Sequence, residues 1–289
     1  MPPPASPAPP QRKSVAEALF TAPSFAWMLA LFAWPAAHLF LMAFHPADVT
    51  GGVGEGWTTS AWKVFGEEGY LETIWRTLWV SAHTTAGCVL LALPVAWRIS
   101  RASRQWRSWL LLLVVLPFWT SFLIRVYSWR VLLQDNGLLA TWFKSRGLMG
   151  EDSMLLYNPT VVVIVMIYTY LPMAVLPIYA AMEKFDPALL DAAHDLGATR
   201  LQSFFKVVLP SIKSGLVAAA LLVGIPSLGS YVVPEMVGGI DAEMLGSKIG
   251  QRLFSDRNLP QAAALATALA LLAMPAVFLA VRRKSEESA

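Results

Sequence analysis

Six apolar stretches, each long enough to cross a bilayer, leave this chain few folds to choose from. They cover residues 24–44, 73–97, 109–133, 159–182, 212–233 and 261–281. At about 1.5 Å of rise per helical residue, each can span a hydrocarbon core of about 30 Å. A backbone in lipid must satisfy its own hydrogen bonds, so apolar runs of this length read as helices. The expectation is an all-α polytopic membrane protein with six transmembrane helices. Composition agrees: 56% of residues are hydrophobic and only 14% charged, a balance foreign to soluble domains. Residues 1–20, opening with MPPPASPAPPQRK, read as a disordered tail. The transmembrane domain is expected over 21–283, with a short tail at 284–289. The first stretch is long and has no convincing small-x-small cleavage site, so it reads as a retained anchor.

Charge orients the spans. Arg12 and Lys13, the RISRASRQWR linker (98–107), Lys184, Arg200, Lys206 and Lys213, and Arg282-Arg283-Lys284 all fall on one side of a six-span chain. The positive-inside rule makes that side the cytoplasm, with both termini in it. Basic residues on the opposite side are offset by acids. The net charge of +3 therefore reports orientation and contact with membrane lipid; no nucleic-acid partner is expected. The single cysteine, Cys88, excludes an intrachain disulfide. Every span carries proline (Pro35, Pro94, Pro117, Pro172 with Pro177, Pro226, Pro275), which suits helices that bend. The fifth is rich in Gly, Ala and Ser, which allow close helix approach.

No catalytic set is legible. There is no phosphate-binding GxxxxGK[ST] loop, no HExxH and no G-x-S-x-G. The four histidines are scattered. His45 and Asp48 have helical spacing, but Pro46 between them argues for a loop, so no metal site is expected. The chain reads as a non-enzyme that binds no cofactor itself. An ion-coupled secondary transporter is the rival, yet it should carry carboxylates near the middle of its spans, and none stands there.

The longest polar interruption after residue 158 is FDPALLDAAHDLGATRLQSFFKVVLP, residues 185–210. Asp186 can cap a helix that begins at Pro187, and Gly197 sits where a left-handed residue should end it. Thr199 with Gln202 forms a capping box for a second helix, which Pro210 should stop. Leu189, Leu190, Ala193 and Leu196 share one face of the first helix; Leu201, Phe204, Phe205 and Val208 supply the second. The result is a two-helix cytoplasmic elbow, spanning 183–211, whose apolar face suits a partner.

The acidic-Ala-Ala, Gly and Leu-Pro pattern of this elbow, carried by Asp191, Ala192, Ala193, Gly197, Leu209 and Pro210, resembles the EAA loop of permease subunits of binding-protein-dependent ABC importers. PFWTSFLIRVYSW (117–129), IPSLGSYVVPEMVGG (225–239) and MLGSKI (244–249) look like the spermidine/putrescine-type subfamily. The resemblance runs from about residue 70 to 283. It implies a type I-like permease fold, with the elbow as a coupling helix docked in a cytoplasmic ATPase that holds ATP and Mg. It also implies a periplasmic substrate-binding protein and a second permease, a different chain. Three positions depart from the pattern. Asp191 stands where Glu is commoner, Gly224 where relatives often carry a bulky residue, and Ser230 where they often carry Glu. The last change removes a possible cation contact.

The solute implied is a polyamine or related amine; the alternative within the family is another small organic solute. Trp119, Arg125, Tyr127, Trp129, Tyr168, Tyr231 and Glu235 are the candidate pathway residues, because aromatic faces with a carboxylate suit an organic ammonium. The competing reading of the aromatics is an interfacial belt. Arg125 runs against a purely cationic path.

Overall fold

The computed structural model describes residues 15–150 and 153–287. Helix α1 (Val15–Met42) leads through a loop with a 3₁₀ turn (Ser60–Gly66) to α2 (Tyr70–Ser100). Next come α3 (Arg104–Val115), a 3₁₀ turn (Leu116–Trp119), α4 (Phe122–Leu133), α5 (Leu138–Ser145) and α6 (Pro159–Glu183). The elbow comprises α7 (Ala188–Asp195), α8 (Arg200–Ser203), a wide π turn (Phe204–Val208) and α9 (Leu209–Ser211). Helix α10 (Lys213–Leu228), a π turn (Pro234–Gly238), α11 (Leu245–Gly250) and α12 (Leu259–Glu287) complete the chain. No strand occurs among the described residues beyond an isolated bridge between Ala47 and Val53.

Among the described residues, four helices are long and apolar enough to cross a membrane: those holding Thr21–Met42, Tyr70–Ser100, Pro159–Glu183 and Leu259–Phe278. Two bent pairs bring the number to six if each is one span: Arg104–Trp119 with Phe122–Ser145 at 87°, and Arg200–Ser211 with Lys213–Leu228 at 70°.

These bends correct the reading of the sequence. The expected third span, 109–133, is not one straight helix. Pro117 lacks an N–H, and both the hydroxyl and the amide of Thr120 donate back to the Pro117 carbonyl, at 2.8 and 3.3 Å. That local closure competes with the helix ladder and ends it. The expected fifth span, 212–233, also stops early, at Leu228, leaving Tyr231 and Glu235 beyond the helix. Helix α1 begins inside the segment read as a tail, residues 1–14 of which lie outside the described residues. Helix α12 likewise continues through 284–287, and residues 288–289 lie outside the description.

Helices α2, α6 and α10 form the central trio. The buried face of α2 is a stripe of small residues at helical spacing, including Thr77, Ser81, Thr84, Cys88, Ala92 and Ala96. Small side chains let the neighbouring backbones come close. Gly215 shows how close: a Cβ there would lie 2.8 Å from the Pro177 carbonyl oxygen and 2.5 Å from Ala181 Cβ. By contrast α1 packs on α12 and leaves Trp27, Phe32 and Trp34 exposed.

Polar ties close the two ends. At the elbow end, Arg107 pairs with Glu183 at 2.9 Å and donates to the Ser100 carbonyl at 3.1 Å, joining α2, α3 and α6. At the far end, Arg252 meets Glu67 at 2.7 Å, Tyr70 Oη at 3.0 Å and Asp256 at 3.0 Å. Between α10 and α12 the chain turns back into the bundle. The Leu245 amide donates to Thr77 Oγ1 at 2.8 Å, and Gly246 lies directly against the carbonyl of Ser230.

That last contact admits only glycine. A Cβ at position 246 would stand 2.5 Å from the Ser230 oxygen, whereas one at Gly66 would meet nothing within 4 Å. Gly246→Ala is expected to cost about 1–3 kcal/mol through overpacking, seen as a lowered melting temperature of the purified protein. Gly66→Ala should leave that temperature unchanged; equal melting of the two variants would refute the contact.

Candidate functional site

The elbow is built from local signals that each satisfy a helix end. Asp186 Oδ1 accepts the Ala188 amide at 3.0 Å and so caps α7. At the other end Gly197 adopts φ +81°. Its amide donates to the His194 carbonyl at 2.9 Å, and the Ala198 amide donates to that of Ala193 at 3.0 Å. This bond pair is the Schellman arrangement, which consumes two orphan carbonyls. The capping box follows: Thr199 Oγ1 accepts from the Gln202 amide at 3.3 Å, and the Thr199 amide donates to Gln202 Oε1 at 3.0 Å.

Pro210 does not stop the second helix. The π turn at Phe204–Val208 carries a bond from the Leu209 amide to the Phe204 carbonyl, and its wider coil admits a residue without an N–H. Ser211 Oγ then donates to the Val207 carbonyl at 2.7 Å. The helix ends one step later, at Ile212, where the backbone turns into α10.

The apolar residues of the elbow divide between two faces, not the shared one expected for Leu189, Leu190, Ala193 and Leu196. Leu190, Phe204 and Val208 look inward, over a groove bounded by Trp97 of α2. The Trp97 and Phe204 rings meet edge to face at 6.3 Å. Leu189, Leu196, Leu201 and Phe205 are exposed, Leu196 at 89%. Asp191 and Ala192 are exposed beside them, Ala193 is half-buried, and Leu209 and Pro210 lie at the junction with the bundle. The outer face is therefore an apolar surface with a carboxylate beside it, on a rigid frame. Sequence periodicity alone missed the role of Trp97. Its signal was the Trp97–Arg101 spacing, which places a guanidinium over the ring at 4.3 Å.

The candidate pathway residues are only partly brought together. Trp129 and Tyr168 pack edge to face at 5.4 Å. Trp119 and Tyr127 are exposed on the α3–α4 side. Arg125, in the first turn of α4, is buried; its guanidinium lies 5.6 Å over the Phe118 ring, and its Nε and Nη1 have no hydrogen-bond partner. Tyr231 is wedged against Gly250, where a Cβ would lie 2.6 Å from the Tyr231 ring. Glu235 is exposed. Among the described residues, no side-chain hydrogen bond, ion pair or ring contact joins Tyr231 or Glu235 to the Trp129–Tyr168 pair. Ser230 is buried, with the Tyr170 hydroxyl as its partner. Gly224 packs closely on Thr85, whose Oγ1 would lie 3.3 Å from a Cβ there, along a furrow of about 480 Å³ between α2, α10 and α12.

His45 and Asp48 serve separate ends in the loop after α1. The His45 ring packs on Trp57 at 4.7 Å and its Nδ1 donates to the Leu41 carbonyl at 3.0 Å. Asp48 accepts from the Thr50 hydroxyl and from the amides of Thr50 and Gly52, at 2.7–2.8 Å. These bonds, the Thr50 hydroxyl first, hold its carboxyl below the usual carboxylate value.

Comparison with known proteins places this geometry. The family described as "Binding-protein-dependent transport system inner membrane component" matches residues 87–286. The spermidine/putrescine transport system permease protein PotB of Haemophilus influenzae is 37% identical over 213 residues, covering 74% of each chain. PotB of Escherichia coli K12 is 32% identical over 203 residues, covering 70% of this chain and 74% of its own. A crystal structure of a bacterial ABC transporter that imports the acidic polysaccharide alginate superposes with a TM-score of 0.67 at 20% identity. It covers 93% of this chain and 94% of that one. A second structure, of the alginate transporter with its ligand-bound periplasmic protein, superposes with a TM-score of 0.65.

The capping box at Thr199 is the feature that starts the second elbow helix. Thr199→Ala should cost about 1 kcal/mol of local helix stability and expose the bond after Arg200 to trypsin. Thr199→Ser should preserve protection. Equal cleavage rates for the Ala variant and the parent would show that the box does not hold the elbow.

Proposed function

The chain belongs to the family of binding-protein-dependent transport system inner membrane components, and on that footing we propose how its parts serve import. It is a permease subunit of an ABC importer, a transport component with no chemistry of its own. It takes a small organic solute from a periplasmic binding protein into the cytoplasm. The solute is a polyamine such as spermidine or putrescine, or a related amine. Relatives named for those two compounds support this reading.

The observation that carries the mechanism is the two-faced elbow. Its outer face, with exposed Leu189, Leu196, Leu201 and Phe205, is the docking surface for a cytoplasmic ATPase, which binds ATP and Mg. Asp191 lies beside that surface and anchors the contact. Capped at each helix end, the elbow moves as one piece. Because α8, the π turn and α9 run without interruption to Ile212, a push on the elbow reaches α10 through a single bent joint. Helix α10 lies in the central trio, so the push re-packs α2 and α6.

A second permease subunit, a different chain, faces this one across the solute path, to which the Trp129–Tyr168 pair contributes aromatic surface for an ammonium. Arg98, Arg101, Arg104 and Arg107 support a cytoplasmic elbow end. The opposite end, with exposed Val49 and Ile240, receives the binding protein. Cysteine placed at Ser103 should react with a membrane-impermeant maleimide only in inverted vesicles. Reaction in intact cells would reverse the assigned orientation.

Reconstitution with the ATPase, the second permease and the binding protein tests the whole. Spermidine or putrescine uptake should require ATP and the binding protein; a binding protein that holds neither amine would remove them as solutes. Gly197 isolates the coupling step. A Cβ there meets nothing within 4 Å, so substitution costs only the left-handed conformation, about 1–2 kcal/mol. Gly197→Val should insert in the membrane yet lose uptake and solute-stimulated ATP hydrolysis. Gly197→Asn, which tolerates positive φ, should keep both. Parental transport by an inserted Val variant would end the coupling role of this bend.

A further inference from the structure

The inner face of the elbow does not close onto α2. Between them runs a groove of about 700 Å³ whose walls are Leu90, Leu93, Pro94 and Trp97 on one side and Leu190 and Phe204 on the other. Its rim is basic: Arg101, Arg200 and His194 line it, and no acidic residue does. The Arg101 guanidinium is held over the Trp97 ring at 4.3 Å. Neither Arg101 nor Arg200 has an ion-pair partner among the described residues, whereas Arg107 nearby is committed to Glu183. Asp191 and Asp195 of α7 are exposed and stand outside the groove.

Polarity and length together select the occupant. From Leu90 to Arg101, α2 rises about 16 Å, close to the thickness of one leaflet of a core of about 30 Å. The groove is apolar along that height and cationic at the end where headgroups lie. An acyl chain fits the apolar walls and a phosphate fits the two guanidiniums. A transmembrane helix of a partner would need about 10 Å of width. A free phosphate would leave the walls bare.

We propose that this groove is a binding site for an anionic phospholipid of the leaflet at the elbow end. The lipid seats one acyl chain against Leu93, Trp97 and Leu190 and its phosphate on Arg101 and Arg200. Bound there, it braces the elbow against α2 from the side opposite the outer docking face, so coupling depends on lipid charge. The binding site stands on the groove itself; its effect on coupling rests on the role proposed above for the elbow.

The test uses the whole transporter, purified in detergent and exchanged into nanodiscs of phosphatidylethanolamine alone or mixed with phosphatidylglycerol. Native mass spectrometry reads the lipid retained on this subunit, and binding-protein-stimulated ATP hydrolysis reads coupling. The parent should retain phosphatidylglycerol in preference to phosphatidylethanolamine. Arg101→Gln with Arg200→Gln should lose about 30-fold of that preference, the loss expected for two interfacial arginines. Leu93→Trp, which fills the groove and keeps both charges, should release the lipid as well. Stimulated hydrolysis should rise with phosphatidylglycerol in the parent and not in these variants.

Equal retention of the two lipids by the parent, or undiminished preference in both variants, overturns the site. Retention of lipid only by the isolated subunit, and not by the full assembly, also overturns it and makes the groove a subunit contact. Selective retention without any effect on hydrolysis upholds the site and overturns its link to coupling. Lipid-sensitive hydrolysis that survives loss of the elbow bend in Gly197→Val would instead count against the elbow's coupling role, leaving the retained lipid as the measure of the site.

Discussion

Inside a bilayer no water stands ready to take an orphaned amide or carbonyl, and two departures from a straight helix in this protein supply their own partners. The break after α3 occurs where Thr120 can satisfy the Pro117 carbonyl with both its hydroxyl and its amide. The return of the chain after α10 is possible because Thr77 Oγ1 receives the Leu245 amide while its own proton goes to the Thr73 carbonyl at 2.7 Å. The Cys88 thiol turns to the Ile167 carbonyl at 3.6 Å, so the lone cysteine joins α2 to α6 instead of standing as a reactive group. The Thr77 hydroxyl, on the small-residue stripe of α2, is thus placed where the irregular backbone needs it. The same stripe is small enough to let α6 and α10 approach.

This constraint separates what was legible in the sequence from what was not. A continuous helix announces itself by length and hydropathy, so α1, α2, α6 and α12 were readable to within a few residues at most of their ends. The elbow was readable for a different reason: its caps are local. Asp186, Gly197, Thr199 and Gln202 act on groups two to five positions away, and that information lies within one stretch of chain. The failures occurred where a residue's effect depends on backbone elsewhere. Pro210 was expected to end a helix, but a π turn just before it accommodates the missing N–H. Residues 229–233 read as the end of the fifth span. They are in fact the start of a returning segment whose place is set by Gly246, sixteen positions after Ser230 and in contact with its carbonyl.

The candidate pathway residues were harder still, because which of them meet depends on how α3 and α4 bend. Trp129 and Tyr168 meet edge to face. Trp119 and Tyr127 stand exposed on the side where α3 and α4 bend away from one another. Arg125 is the instructive residue. As a charge in an apolar segment it looked like a pathway group, but it lies folded over Phe118 at the break, buried with two nitrogens unpaired. A guanidinium in that position favours a bent α3–α4 over a straight one, since straightening would carry the charge away from the ring and leave it in lipid.

The two bends have opposite mechanical characters. The α3–α4 break is secured from both sides, by Thr120 at the turn and by the packing of Val126 and Leu133 into the core with Val162 and Val237. It can pivot only if that core re-packs. The joint at Ile212 is different. Ile212 is itself buried, but the helices it connects are held by separate contacts: α9 continues the elbow, and α10 packs on α6 and α2. At Gly215 the approach is too tight for any side chain, so α10 cannot slide along α6 without dragging it. The elbow is therefore joined through one residue to a helix pair in close contact at Gly215. For the coupling role proposed above, the glycine contact just beyond that joint is the point at which motion enters the central helices.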